Sequence, residues 1–176
     1  IAEMSLKLLR QACADAKQWP AHLTLAINIS PSQLRDRWLA ERLLAIMTEA
    51  GFPPSRIEVE ITETALVNDM EAARATLRSL QNVGVRIALD DFGTGYSSLY
   101  HLRELHFDKI KIDRSFVQSR ERNQESANIV NAIIGLGKSL GLLTTAEGIE
   151  NLENRNWLTE QGCSFGQGFL FGKPMR

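Results

Sequence analysis

Six short β-branched runs alternate with longer helical patterns along this chain, and that alternation limits its folds more than any other feature. The runs fall at 23–29 (LTLAINI), 57–62 (IEVEIT), 85–91 (VRIALDD), 109–113 (KIKID), 142–148 (LLTTAEG) and 165–171 (FGQGFLF). Between and before them, apolar residues keep helical spacing over 3–19, from Leu39 to Ala50, and over 69–83, about 123–140 and 151–161. A shorter helix is expected near 97–105. Gly51, Gly84, Gly141 and Gly162 stand where these helices should stop, and Ser30 with Gln33 reads as a helix start.

Strands joined one to the next through helices make a parallel sheet. No G-x-G-x-x-G or G-x-x-x-x-G-K-[ST] stretch supports a nucleotide-binding open sheet. The remaining architecture is a (β/α)8 barrel, which needs about 250 residues. The chain has 176 and opens inside a helical pattern without a cap, so the expectation is a barrel lacking about its first two β/α units. Two open sheet edges would then invite pairing or aggregation unless something covered them.

A formal charge of −1 and the absence of a Lys/Arg run argue against a broad basic face for polymeric DNA or RNA. They leave open a small anionic substrate neutralised locally by metal ions. Cys13 and Cys163, far apart and in no metal-like spacing, read as two reduced thiols. With no membrane-length apolar stretch and no signal peptide, the segment reads as cytoplasmic, with room for a membrane-attached parent.

Strands buried on both faces of a parallel sheet should be nearly all apolar. Here polar residues gather toward the strand ends: Asn28, Glu58 with Glu60, Asp90 with Asp91, Lys109 with Lys111, and Glu147. Each has an ordinary reading taken alone. Asp90-Asp91 fits a cap for the next helix, Asn28 fits turn chemistry, and Lys111 fits an edge strand guarded against pairing. Recurrence on five successive strands favours a site on the C-terminal rim of a barrel. Oxygen donors without histidine or thiolate suit Mg²⁺ or Mn²⁺ better than zinc. Carboxylates sharing a rim with a lysine and metal ions suggest hydrolysis of a phosphate ester by in-line attack of water. His22, His101 and His106 fall outside this set and read as surface or packing residues.

Six ordered stretches carry a family resemblance: LAINISPSQL at 25–34, EITET at 60–64, ALDDFGTGYSSL at 88–99, KIKIDRSFV at 109–117, TTAEGIE at 144–150 and GQGFLFGKP at 166–174. On them the chain resembles the EAL domain, the bacterial cyclic di-GMP phosphodiesterase, from Ile1 to Arg176. The resemblance implies a modified TIM (β/α)8 barrel that linearises cyclic di-GMP to pGpG with Mg²⁺ or Mn²⁺, two ions being expected. It implies Asn28, Glu60 and Asp90 as ligands of a first metal and Asp91 as a ligand of a second. Glu147 would hold metal or its bound water, Lys111 would contact the attacking water, and Gln167 would help hold the site and its substrate. Glu63 would anchor the loop Phe92-Gly93-Thr94-Gly95, which in the family links metal binding to a homodimer. Taken from the residues alone, the loop is equally a plain turn into a helix starting at Ser97.

The naming Glu-Ala-Leu strand of that family has no counterpart in 1–176, so residues 1–176 are expected to be a partial EAL domain with negligible turnover alone. Upstream sensory or diguanylate-cyclase domains are expected in the parent. Two other readings stay open. One is a non-catalytic module that binds cyclic di-GMP and signals to a partner; the other is a structural or dimerisation fragment.

Overall fold

A computed structural model describes residues 2–67, 70–94, 102 and 104–175. The chain divides into two compact units, residues 1–88 with 99–106 and residues 89–98 with 107–176. The six strands follow one another in sheet order as in sequence, β1-β2-β3-β4-β5-β6. A doubly wound sheet reverses its strand order part-way, whereas an arc of a (β/α) barrel does not, so the order matches the barrel class.

In the first unit, α1 (Ala2–Ala16) leads to β1 (Leu25–Asn28), α2 (Pro31–Leu34), α3 (Leu39–Ala50), β2 (Ile57–Thr62), α4 (Glu63–Val67) and α5 (Met70–Asn82). α1 stops three residues before the expected end because the chain turns there. Lys17 and Trp19 donate to Cys13 and Ala16, and the turn runs into Pro20. Ser30 and Gln33 form a reciprocal capping box on α2, and Gly51 closes α3 in the left-handed conformation. α3 buries Leu39, Leu43, Ile46 and Met47 on one face, each contributing about 1.5–3 kcal/mol of burial. β1 and β2 pair in parallel, with Leu25 opposite Ile57 and Asn28 opposite Glu60. Arg56 fastens the turn after α1 to the start of β2, donating to Leu23 O at 2.8 Å and Ala16 O at 3.2 Å.

β3 (Arg86–Phe92) begins in the first unit and ends in the second. The second unit continues with β4 (Lys109–Ile112), α6 (Arg114–Ser119), α7 (Gln124–Leu140), β5 (Leu143–Ala146), α8 (Leu152–Gln161) and β6 (Phe165–Gly166). Its core is built from Ile110, Ile112, Val117, Val130, Ile134, Ala146, Ile149 and Leu158. β4 pairs in parallel with β5, and β5 with β6.

Two features depart from expectation here. The last strand spans two residues, not seven, because the chain bends after Gly166. Phe171 donates back to Gly168 at 3.1 Å, and Gly168 lies so close to Ile149 that an added Cβ would sit 2.1 Å from the Ile149 carbonyl. The short helices α4 and α6 were not expected. Of the short helix near 97–105, only residues 102, 104 and 105 are described; Gly95, Ser97 and His101 lie outside the described residues. Among the described residues, no helix is long and apolar enough to cross a membrane. Cys13 and Cys163 are free thiols.

Candidate active site

Lys111 is the third residue of the four-residue strand β4, and its side chain is only 6% exposed. Strand alternation aims it to one side while Ile110 and Ile112 pack fully buried on the other. Its Nζ lies 3.1 Å from Asp90 Oδ1 at the end of β3 and 2.7 Å from Glu147 Oε1 just past β5. Those carboxylates are themselves mostly buried, at 12% and 19% exposure. β4 lies between β3 and β5, so the edge-strand reading of Lys111 fails. A charge this deeply placed needs paired carboxylates to be tolerated at all.

Asp91 follows Asp90 with φ +53, a left-handed conformation uncommon for any residue but glycine. The turn is held locally: Asp91 N donates to Asp90 Oδ1 at 3.0 Å, and Thr94 Oγ1 donates to Asp91 O at 2.8 Å. Gly93, at φ +98, approaches Phe116 of α6 and Ile133 of α7, and Phe92 is buried. The loop 92–94 is therefore packed onto its own unit. Burial raises the Asp91 carboxyl above its ordinary range. The negative charges of Asp90, Asp113 and Glu147 push it the same way, and Lys111 opposes them.

Asp90, Asp91 and Glu147 each offer a carboxylate oxygen within 4.8 Å of the others. All three donors are oxygen, which suits a hard divalent cation, and the crowding that raises Asp91 is the kind a bound cation relieves. Glu147 N donates to Ile112 O at 3.1 Å, fixing the carboxylate-bearing turn to the end of β4.

Gln167 also reaches this neighbourhood. Its N–H donates to Ala146 O at 2.9 Å and its carbonyl accepts from Ile149 N at 3.0 Å, so its backbone is stitched to β5 and the turn beyond. With Arg114, Gln118, Glu147 and Glu150 it lines a cavity of about 210 Å³.

The first unit holds the other expected residues. Asn28 ends β1, exposed, opposite the buried Glu60 of β2. Glu63 opens α4 and is buried. Glu58 and Lys109 do not stand at C-terminal strand ends, since they are the second residue of β2 and the first of β4. Lys109 instead stacks over the Phe165 ring at 5.2 Å. Asp113, missed from the sequence as a site residue, bears on Asp91 and also caps α6 by accepting from Ser115 N. The Asp-Arg-Ser run after a strand is a helix-start signal that points to it.

The family model for the EAL domain matches residues 1–174. The chain belongs to the EAL domain family. It is 43% identical to the cyclic di-GMP phosphodiesterase RocR of Pseudomonas aeruginosa over 153 residues, which cover 87% of this chain and 39% of RocR. It is 36% identical to the bifunctional diguanylate cyclase/cyclic di-GMP phosphodiesterase MucR of the same organism, over 99% of this chain and 26% of MucR. This EAL chain thus spans well under half the length of those relatives. Its fold matches the solved PaMucR phosphodiesterase in complex with c-di-GMP, with a TM-score of 0.95 at 35% identity, covering 99% of this chain and 72% of that one. It also matches the manganese/cy-diGMP complex of Klebsiella pneumoniae BlrP1, with a TM-score of 0.84 at 35% identity, covering 98% and 44%.

Proposed function

We propose that the protein carrying this EAL domain hydrolyses cyclic di-GMP to pGpG in a reaction dependent on a divalent metal, Mg²⁺ or Mn²⁺. The observation that supports it most is the buried Lys111, held between Asp90 and Glu147 beside Asp91. Asp90, Asp91 and Glu147 would hold the metal. Asn28 and Glu60 are proposed as further ligands on the resemblance alone. When bound, a divalent ion lowers the pKa of water and neutralises phosphate charge.

The chain's own residues supply the rest. The Lys111 ammonium, held by two carboxylates, is placed to orient a water oxygen for in-line attack on phosphorus. Glu147 and Asp91 offer carboxylate oxygens that accept the proton the water gives up. One phosphorus–oxygen bond forms and one ring ester bond breaks, leaving a linear dinucleotide. Gln167 is proposed to hold the substrate where it lines the cavity beside Glu147. The coupling of Glu63 and the loop 92–95 to a homodimer, and the second metal ion, are carried from the family resemblance.

The test is to incubate the protein with cyclic di-GMP and Mg²⁺ or Mn²⁺ and to separate products chromatographically. pGpG should form, and chelation should stop it. Lys111→Ala should bind the nucleotide but fail to turn it over. Tight binding without any product from the unaltered protein would replace hydrolysis with a signal-binding role.

A further inference from the structure

Lys111 and Glu147 meet at 2.7 Å, yet each precedes a different helix, α6 after β4 and α8 after β5. Those two strand-to-helix connections are fastened together at three places. Nearest the site, Gly148 has φ +70, and a Cβ there would fall 2.6 Å from Arg114 Cβ at the start of α6. One turn along, Gln118 Nε2 donates to Glu150 Oε1 at 3.0 Å.

Farthest out, Arg120 at the end of α6 donates through Nε to Oδ1 of Asn154 in α8 and lies over the Trp157 ring at 4.9 Å. Asn154 is itself buried, and its N–H donates to the capping side chain of Asn151 at 2.7 Å. Arg120 therefore grips α8 at its first turns, immediately after the turn that carries Glu147.

The arginine is only 10% exposed, and its buried Nη2 has no hydrogen-bond acceptor among the described residues. Its nearest anions, Glu121 and Glu153, stand 3.6 Å away. Replacing the arginine alone by an apolar side chain leaves the buried Asn154 oxygen without that donor. What an apolar side chain lacks is a planar group with a directional Nε bond and a stacking face, which together fix one helix against another in angle and height.

We infer that Arg120 is a positioning residue. By locking α6 to α8 it holds Glu147 at its working distance from Lys111, without touching substrate. The inference rests on the phosphodiesterase reading for its effect on rate, but not for its effect on structure.

The experiment compares Arg120→Met, which keeps the bulk, and Arg120→Lys, which keeps the charge, with the unaltered protein. Both should fold, by circular dichroism. Turnover number should fall by about tenfold to a hundredfold, the scale of an ångström-sized misplacement, with KM unchanged within about twofold. Lysine should restore little, since it lacks the planar fork. In metal-free protein, the amide resonances of Ile112 and Glu147 should shift while that of Val59 stays in place. If Arg120→Met does not fold, Trp157→Leu, which removes the stacking face, carries the same expectations. Unchanged turnover in a folded variant would overturn the inference, as would an unmoved Glu147 resonance. If the unaltered protein shows no turnover, the functional reading fails, and the amide shifts alone decide the role of Arg120.

Discussion

Replacing Lys111 by methionine keeps its unbranched stem and removes its charge, so the result reports on electrostatics more than on packing. At 2.7 and 3.1 Å, each of its carboxylate contacts carries a gross attraction of about 5–6 kcal/mol at an effective dielectric of about 20. Most of that offsets the cost of taking three ions out of water. What remains when one partner of a buried pair is deleted is about 3–5 kcal/mol. Asp90 and Glu147 keep some exposure, 12% and 19%, so water can rescreen them and the lower end applies. A loss of about 3 kcal/mol corresponds to a Tm fall of about 6–12 °C for a chain of this size. The assay is thermal unfolding at pH 7, first of metal-free protein and then with added ion. Added Mg²⁺ or Mn²⁺ should recover part of it at pH 7 by binding the folded state. A penalty that the ion leaves unchanged would refute the reasoning, because the loss would then come from packing.

Asp91→Asn should stabilise the metal-free protein at neutral pH while weakening Mn²⁺ binding, as read by melts with and without the ion. The folded pKa of Asp91 is raised above its unfolded value, so folding favours its protonated form below about pH 4, and that advantage is lost as pH rises through the folded value. Asparagine also tolerates the positive φ at this position. Gly168→Ala should cost about 1–3 kcal/mol in urea unfolding, because its Cβ would press on the Ile149 carbonyl and force the chain around Gln167 to shift. Burial pushes the Cys13 thiol above 9.0, so stability should hold below about pH 9 and fall as pH rises through the folded value. Cys13→Ala should lower stability overall yet flatten that alkaline decline, measured as urea midpoints between about pH 8 and 10.5.

The elements most legible in the sequence were those with long periodicity or a firm stop. β2 has the expected bounds, 57–62, and α3, α7 and α8 end at the expected left-handed glycines. α4 and α6 span five and six residues, too few turns for a helical period to separate from its surroundings. The run 165–171 has the composition of a buried strand, and only the approach of Gly168 to Ile149 shows why it bends. Within the site, the polar character of Asp90, Asp91, Lys111 and Glu147 was visible, but their convergence was not. Alternation shows which face a residue takes, whereas distance depends on how strands are staggered. For that reason Glu58 and Lys109 look like strand-end residues in the sequence, and Asp113 looks like no more than a helix start.

The carboxylate cluster carries a consequence in its charge count. Three carboxylates meet one ammonium among Asp90, Asp91, Glu147 and Lys111, leaving these four side chains with two negative charges in excess when all are ionised. A single divalent cation closes that gap. A further one would leave two surplus positive charges, and a cyclic dinucleotide, with two phosphodiesters, is an anion that supplies the balance. Substrate and second ion should therefore enter as a linked pair, each raising the other's affinity by the same factor.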